Sequence, residues 1–384
     1  MTHTQKTRHY LTFAMFFFMA FTIMFCDSYN PKTILTPTGA RIDNTGLKKF
    51  IAAQMAQYQV PGLAIAIING DSIVFQETFG VTTMGSSEKM GQKTIFEAAS
   101  LSKPLFAYFV MKQVDKGLLD LDTPLYQYVD YTDIIHDQRY KLITPRMVLS
   151  HTTGLPNWRS GQLNFRFAPG TRYAYSGEGF QYLARATAQV NNVDRDGLFE
   201  VFERDVAQPL NATRLYFYWN EDVAQHKATG HREGKVGSNG PSDFRTEEFG
   251  SAHNLHTDIE SYARFIAAIL SQKNLSEGAF QEMLKPQVAI PTEDYESVVS
   301  GNTRWSLGFG VKETPNGPMY SHGGNNGFFT AYMLFYPERE FGLVLFSNSE
   351  KIMFSNFTNE IASYLQTDLR MDLGALNRLM AKYE

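Results

Sequence analysis

Residues 100–111 read Ser-Leu-Ser-Lys-Pro-Leu-Phe-Ala-Tyr-Phe-Val-Met. Apolar side chains fall on nearly every side of a helix drawn through this stretch, which is typical of a buried helix. Pro104 lies in the first turn, where a missing N–H costs little. The pattern predicts a helix that begins near Ser100 and ends around Lys116-Gly117. Ser100 and Lys103 would then share one helix face, where a lysine can take the serine proton, directly or by relay.

A second serine and lysine with the same spacing, Ser86 and Lys89, lie in Met84–Gln92, a polar stretch without apolar periodicity. A lysine there would stay solvated and protonated, with nothing to hold it against the serine. The buried helix behind Ser100 therefore favours Ser100 and Lys103 as the reactive pair.

Upstream of this helix, the N-terminus resembles a targeting segment. Basic residues precede the apolar run Tyr10–Phe25, which is short for a membrane span and suits a secretory signal. We predict that residues 1–28 are a signal peptide or membrane anchor, followed by a linker over 29–44. Cys26 leaves lipoprotein attachment open, although Phe25 is atypical before a lipidated cysteine. The chain is expected to be exported, and to be periplasmic or membrane-anchored.

Composition narrows the classes of function. The chain has 384 residues, a net charge of −4 and no basic stripe, so nucleic-acid binding has little support. A single cysteine allows no internal disulfide, and the stability must come from the hydrophobic core. Oligomeric state cannot be read from the sequence.

Strands are predicted at both ends of the domain. Leu63–Ile68 and Ser72–Phe79 flank Asn69-Gly70, a strong hairpin signal. Near the C-terminus four further strands are predicted, at Ser306–Lys312, Met319–His322, Phe328–Tyr336 and Phe341–Ser347. A mainly helical insertion is predicted over residues 118–258, and a polar loop is predicted over residues 286–302. We therefore expect an α/β (α+β) domain over 45–384, in which the N- and C-terminal strands form one antiparallel sheet flanked by helices.

Two further clusters accompany the serine and lysine. Tyr173–Gly179 reads Tyr-Ala-Tyr-Ser-Gly-Glu-Gly, and His322–Gly327 reads His-Gly-Gly-Asn-Asn-Gly at the end of a predicted strand. Each alone is a weak signal, because a glycine-rich turn explains it equally well. With Ser100 and Lys103, and in this order, they resemble the serine β-lactamase and penicillin-binding-protein superfamily, which uses an S-x-x-K signature. The resemblance is strongest to its class C-like branch of esterases, D-peptidases and β-lactamases, and implies the β-lactamase/DD-peptidase-like fold.

The resemblance implies roles for individual residues. Ser100 would be the acylated nucleophile, Lys103 its partner, and Tyr175 the proton shuttle. Lys103 in its charged form would lower the pKa of the Tyr175 phenol. The backbone N–H groups of Ser100 and Asn325 would form the oxyanion hole, within the segment His322, Gly323, Gly324 and Asn325. Which of Lys103 and Tyr175 acts first as base stays open.

Two departures from the family pattern bear on substrate choice. Gly177 stands where the family often has asparagine, which removes a side-chain amide from the site; a solvated Glu178 is a partial substitute at best. His322 stands where β-lactam and peptide enzymes carry lysine, and a neutral histidine anchors a carboxylate poorly. Both changes favour esters or amides, cleaved by an esterase-like or D-aminopeptidase-like enzyme with weak or no β-lactamase activity.

Other residues are expected to be structural. His151 is predicted to be a buried loop histidine, and Glu97 an exposed residue near the helix start. His253 and His256 lack a third ligand at suitable spacing, so we expect no metal and no cofactor. Two alternatives stay open: a penicillin-binding sensor or other slow-deacylating, non-catalytic binding module, and a membrane-anchored structural protein with an inactive site. The expected partner is a small ester, amide or peptide substrate.

Overall fold

The computed structural model describes residues 33–237, 240 and 248–380. The strands in chain order are β1 (Thr33–Leu35), β2 (Arg41–Asp43), β3 (Gly62–Asn69), β4 (Ser72–Gly80), β5 (Phe96–Ala99), β6 (Leu215–Tyr216), β7 (His231–Arg232), β8 (Lys235–Val236), β9 (Leu255–Thr257), β10 (Val288–Ala289), β11 (Arg304–Trp305), β12 (Gly310–Lys312), β13 (Met319–Asn325), β14 (Thr330–Tyr336) and β15 (Phe341–Ser347). The helices are α1 (Asn44–Tyr58), α2 (Ser102–Asp115), α3 (Pro145–Leu149), α4 (Glu178–Val190), α5 (Leu198–Phe202), α6 (Glu221–His226), α7 (Ile259–Leu270), α8 (Glu277–Leu284), α9 (Lys351–Phe354), α10 (Phe357–Tyr364) and α11 (Leu373–Met380).

An eight-stranded antiparallel sheet joins the two ends of the domain, as predicted. Its strand order is β10-β11-β12-β13-β14-β15-β3-β4, so the C-terminal strand β15 pairs directly with the N-terminal strand β3. Gly70 has a φ of +61°, which suits the predicted hairpin turn between β3 and β4. The predicted α/β (α+β) class with one antiparallel sheet flanked by helices is confirmed.

Both faces of the sheet are buried. Ala64, Ala66 and Ile68 on β3 pack into the core that contains α2 and α7. The alternate residues Leu63, Ile65 and Ile67 pack into a second core with α1 and α10. Successive side chains of a strand point to opposite faces, which explains why this strand is a continuous apolar run rather than an alternating one.

Three segments differ from the prediction in their bounds or in their secondary structure. Helix α2 begins at Ser102 rather than Ser100, and a turn precedes it. The predicted strand 306–312 is interrupted at 306–309, where Gly308 has a φ of +98° and packs so closely on α2 that a Cβ would lie 2.7 Å from Ala107 Cβ. The polar loop 286–302 contains β10 and a π-helical turn, Glu296–Ser300.

Part of the predicted linker over 29–44 is a hairpin. Strands β1 and β2 pair in antiparallel register, and both contribute a buried isoleucine, Ile34 and Ile42, to the core beside α1. The burial of these two side chains holds this segment on the domain, which a sequence rich in proline and polar residues did not indicate. The predicted targeting segment, residues 1–28, lies outside the described residues.

The predicted helical insertion, 118–258, is of mixed structure. It carries α3, α4, α5 and α6, but β6 and β9 also pair in a three-stranded sheet with β5, in the order β5-β9-β6. This small sheet brings the insertion against the strand that leads into Ser100. In the part of the chain that the structure describes, no helix combines the length and apolar character needed to cross a membrane.

Candidate active site

Ser100 lies in a tight turn between β5 and α2. Ala99 takes a φ of +49°, an uncommon conformation for a residue with a side chain. The buried Ser102 stabilises this turn: its hydroxyl donates to Ala99 O at 2.6 Å and accepts from the Leu255 N–H at 3.0 Å. The Lys103 N–H donates to Ser100 O at 3.0 Å. The turn therefore places the Ser100 side chain at the start of the buried helix.

Lys103 is 1 % exposed and points at Ser100. Its Nζ lies 3.3 Å from Ser100 Oγ and donates to Ala252 O at 2.8 Å. Burial lowers the pKa of Lys103 to about 7, and the negative charge of Glu296 acts in the opposite direction. A lysine with this pKa is available as a neutral amine near pH 7, which is what a base for Ser100 requires.

We expect kcat/KM for an uncharged ester to rise with pH and to level off above a midpoint near 7, because only the neutral form of Lys103 can take a proton. A pH profile of initial rates measures this midpoint. Glu296→Gln should move it to lower pH, because the carboxylate that favours the lysine cation is removed. A profile that is flat from pH 5 to 9 would contradict Lys103 as the base.

Tyr175 stands beside the same serine. Its hydroxyl lies 3.5 Å from His322 Nε2, a long hydrogen bond, and Lys103 Nζ lies 4.7 Å from the centre of its ring. Burial raises the pKa of Tyr175 far above its usual range, although the neighbouring Ser100 hydroxyl lowers it in part. The expectation that Lys103 lowers the phenol pKa is therefore wrong, since burial dominates. At neutral pH Tyr175 is therefore a protonated phenol.

His322 is held in the neutral state. Its Nδ1 lies 2.7 Å from the carbonyl oxygen of Gly323, so Nδ1 carries the proton and Nε2 faces Tyr175 as an acceptor. Burial lowers the pKa of His322 to about 3, and the charge of Lys103 lowers it further. The position where the resemblance to β-lactam enzymes implies a lysine cation is therefore uncharged.

The end of β13 lies close to Ser100, since a Cβ at Gly324 would lie 3.3 Å from Ser100 N. The Asn326 N–H donates to Phe329 O at 3.2 Å on the β14 side. Because hydrogen-bond directions alternate along an antiparallel ladder, the N–H groups of Gly323 and Asn325 face the opposite edge, beyond the last residue paired with β12, Ser321. Gly324 allows the close approach, since a Cβ there would lie 2.4 Å from Ala98 O. The Asn325 N–H therefore faces the edge away from β14, and its role as an oxyanion donor stays a prediction.

One cavity of about 580 Å³ brings these groups together. A volume of this size suits a small molecule. The predicted residues that line it are Ser100, Tyr175, Gly323, Gly324 and Asn325. Lys103 and His322 are not part of this lining, but Lys103 Nζ contacts Ser100 Oγ and His322 Nε2 contacts the Tyr175 hydroxyl.

Comparison with known proteins identifies the family of this chain. The family model described as Beta-lactamase matches residues 47–364. The chain belongs to the beta-lactamase family. Among curated members it is 19 % identical over 358 residues to Protein flp of Staphylococcus aureus (strain N315), covering 84 % of this chain and 66 % of that protein. It is 22 % identical over 328 residues to the D-alanyl-D-alanine-carboxypeptidase/endopeptidase AmpH of Escherichia coli (strain K12), covering 78 % and 83 %.

Solved structures show the same fold. The octameric penicillin-binding protein homologue from Pyrococcus abyssi matches with a TM-score of 0.70 and 22 % identity, covering 85 % of this chain and 78 % of that one. A crystal structure of SurE matches with a TM-score of 0.69 and 20 % identity, covering 84 % and 75 %. The family, the fold and the geometry at Ser100 are consistent with a serine hydrolase. The chain spans just under two thirds of the length of the Staphylococcus aureus proteins that it matches.

In this beta-lactamase family member the structure explains the glycine at 177. A Cβ there would lie 2.8 Å from both Asn157 O and the Trp158 ring. The Gly177 N–H instead bonds to Asn157, whose side chain lines the cavity. Asn157 therefore presents an amide close to the position that the missing family asparagine would occupy. No local sequence pattern indicated this contact, because Asn157 belongs to a separate loop.

Glu178 and Glu97 are both buried, contrary to expectation. Glu178 pairs with Arg159 at 2.7 Å and is no solvated substitute for an active-site amide. Glu97 pairs with Lys227 at 2.8 Å and accepts a hydrogen bond from Asn326 Nδ2 at 2.9 Å. It thereby ties β5 to the turn that follows Asn325. The buried His151 behaves as predicted, since its Nδ1 accepts from the Ser176 N–H at 3.0 Å.

We expect Glu97→Gln to reduce the free energy of unfolding by about 3–5 kcal/mol, because it leaves the buried Lys227 ammonium without its counter-charge. Urea denaturation followed by circular dichroism measures the change. Glu313→Gln, at an exposed carboxylate, is the matched control and should leave the transition midpoint unchanged. A loss below about 1 kcal/mol would mean that this ion pair has little weight in the fold.

Further residues of the cavity were not predicted. Asn157, Arg166, Asp294, Glu296, Ser300 and Tyr332 also line it. Ser86, which has the same spacing to a lysine as Ser100, is exposed in its loop. For His253 and His256, the described residues contain no group of three His, Cys, Asp or Glu side chains that could hold a metal ion.

Proposed function

We propose that this chain hydrolyses esters or amides through an acyl-enzyme on Ser100. The observation that carries the proposal is the 3.3 Å approach of the buried Lys103 Nζ to Ser100 Oγ, inside a cavity large enough for a small substrate. An isolated serine hydroxyl is a poor nucleophile, and an adjacent neutral amine removes that barrier.

In the proposed reaction, Lys103 accepts the Ser100 proton while Oγ bonds to the substrate carbonyl carbon. The N–H groups of Ser100 and Asn325 stabilise the negative oxygen of the tetrahedral intermediate. The intermediate then expels the leaving group, which takes a proton from the Tyr175 phenol, and Lys103 reprotonates Tyr175. A water molecule repeats the sequence on the acyl-enzyme: it gives a proton to the Lys103 amine while its oxygen bonds to the acyl carbon. The C–Oγ bond then breaks, Ser100 Oγ takes a proton from Tyr175, Lys103 reprotonates Tyr175, and the acid is released.

The substrate class follows from charge. A neutral His322 supplies no fixed cation for the carboxylate of a β-lactam or a peptide C-terminus, so esters and amides without that group should be preferred. The Escherichia coli relative is named for carboxypeptidase and endopeptidase activity on D-alanyl-D-alanine, which keeps peptide amides within the proposal.

The substrate preference is tested by comparing kcat/KM for a short-chain 4-nitrophenyl ester and a chromogenic cephalosporin at pH 8. We expect the ester to be hydrolysed with the higher efficiency, and Ser100→Ala protein is the control for background hydrolysis. A higher efficiency on the cephalosporin would overturn the preference for esters.

A penicillin-binding sensor is the second candidate, favoured by the neutral His322 at the position where the family resemblance implies a lysine. A sensor would release one equivalent of nitrophenol in a burst and then stop, because its acyl-enzyme persists. Steady turnover over many equivalents excludes that role. The same trace therefore separates a hydrolase from a module that only becomes acylated.

Export is proposed from the sequence alone. Residues 1–28 carry the predicted signal or anchor, and they lie outside the described residues. Fractionation of cells that express the full chain, with detection of the mature N-terminus by mass spectrometry, tests it. Cytosolic recovery of an unprocessed chain would contradict export.

A further inference from the structure

A second cavity, of about 310 Å³, is large enough to admit a small molecule. The catalytic cavity, which contains Ser100, shares no lining residue with it. The two are nevertheless close along the chain, because Asn157 lines the catalytic cavity while its neighbours Trp158 and Arg159 line the second one. The proposed hydrolysis uses none of the residues of this second cavity, so its polar lining calls for a separate explanation.

The carboxylates that line the second cavity already have arginine partners. Arg159 pairs with Asp133 Oδ2 and with Glu178 Oε2, each at 2.7 Å. Arg195 pairs with Glu248 Oε2 at 3.2 Å. Opposite charges paired at these distances satisfy one another within the chain. These five side chains therefore do not call for an external cation.

Arg185, which is half-buried, differs from these two arginines. The carbon of its guanidinium lies 5.2 Å from the centre of the Tyr131 ring. In the part of the chain that the structure describes, its nitrogens have neither a carboxylate oxygen within 4 Å nor a hydrogen-bond acceptor, and Asp133 acts on it only from a greater distance. A guanidinium keeps its charge and carries five N–H donors. Arg185 is therefore the group of this cavity that is suited to bind an anion from outside the chain.

Gln181 supplies a second donor on the same side of helix α4. It precedes Arg185 by four residues, so the two side chains are neighbours on the helix surface, and both line the cavity. Arg195 donates to Gln181 Oε1, which leaves the Nε2 amide group of Gln181 to donate to a ligand. The two oxygens of one carboxylate can accept from an amide and a guanidinium together. Trp158, which is 39 % exposed, adds an aromatic surface for an apolar part of the ligand.

We propose that the second cavity is a ligand site of its own, which binds a small carboxylate with an apolar body through Arg185 and Gln181. The site goes beyond the proposed hydrolysis, since none of its residues takes part in that reaction. The acid that hydrolysis of an ester or amide releases belongs to the same class of ligand. A carboxylate bound here would lie beside the loop that carries Asn157 into the catalytic cavity.

Calorimetric titration of the wild-type protein with cyclohexanecarboxylate, at pH 7.5 and low salt, tests the proposal. We expect binding that is at least about tenfold tighter than that of the neutral cyclohexanecarboxamide, because only the carboxylate forms a charge-assisted hydrogen bond. Added salt should weaken the binding of the carboxylate. Binding should persist in Ser100→Ala protein, so the result does not depend on whether the chain hydrolyses any substrate. Absence of binding, or equal binding of the carboxamide, would overturn the proposal.

Variants then locate the site. Arg185→Gln should weaken binding of the carboxylate at least about tenfold. Arg166→Gln is the matched control, because it removes an arginine that lines the catalytic cavity, and it should bind the carboxylate as the wild-type protein does. Gln181→Glu places a negative charge beside Arg185 and should also weaken binding, which keeps the test available if circular dichroism shows that Arg185→Gln does not fold. Unchanged affinity in folded Arg185→Gln protein, or a loss in Arg166→Gln instead, would overturn the proposal.

Discussion

Ser100→Ala is expected to lower kcat for ester hydrolysis by roughly 10⁴-fold or more, because it removes the cavity hydroxyl that Lys103 contacts. The same change should abolish covalent labelling by a fluorophosphonate probe, which reacts only with an activated serine. Mass spectrometry of the labelled wild-type protein should place the adduct on the peptide that contains Ser100.

Ser86→Ala is the matched control for this experiment, since Ser86 has the same spacing to a lysine and lies exposed in a polar loop. Its labelling and turnover should equal those of the wild-type protein. An adduct on another serine, or labelling that persists in folded Ser100→Ala, would contradict Ser100 as the nucleophile. Absence of labelling in the folded wild-type protein would instead favour the structural alternative with an inactive site.

Lys103→Met is expected to lower kcat by about 10²–10⁴-fold, because the base for Ser100 is removed while the apolar side chain fills a similar volume. Stability should not fall in parallel. Lys103 is buried with an amine that is poorly solvated, and methionine relieves that cost even though it leaves the Ala252 carbonyl without its donor. Thermal unfolding by circular dichroism measures the stability, and steady-state rates on a neutral ester measure kcat.

Two controls sharpen this prediction. Lys89→Met changes the lysine of the exposed pair and should have no effect on kcat. The double variant Ser100→Ala with Lys103→Met should be no slower than Ser100→Ala alone, because the two residues act as one unit. A Lys103→Met protein that keeps more than about a tenth of the wild-type rate would shift the role of base to Tyr175.

Short-range sequence patterns predicted the main helix and the hairpin of the sheet correctly. The apolar run after Ser100 indicated a buried helix, and Asn69-Gly70 indicated the hairpin; both signals lie within a few neighbouring residues. The same approach was wrong at residues 33–43, where two isolated isoleucines anchor a hairpin. It was also wrong for Glu97, because its partner Lys227 stands on a distant segment and no local pattern marks a buried ion pair.

The sequence by itself determined the family, the sheet and the set Ser100, Lys103, Tyr175 and His322–Asn325, since helical periodicity and motif order are properties of neighbouring residues. Only the tertiary structure decided the charge state of the cavity. Burial makes Lys103 a neutral base, keeps Tyr175 protonated and holds His322 neutral. Folding also brings Asp294 and Glu296, which belong to a polar loop, to the cavity that contains Ser100. Desolvation and the field of distant charges depend on which segments meet in space, so no local sequence pattern could predict these charge states.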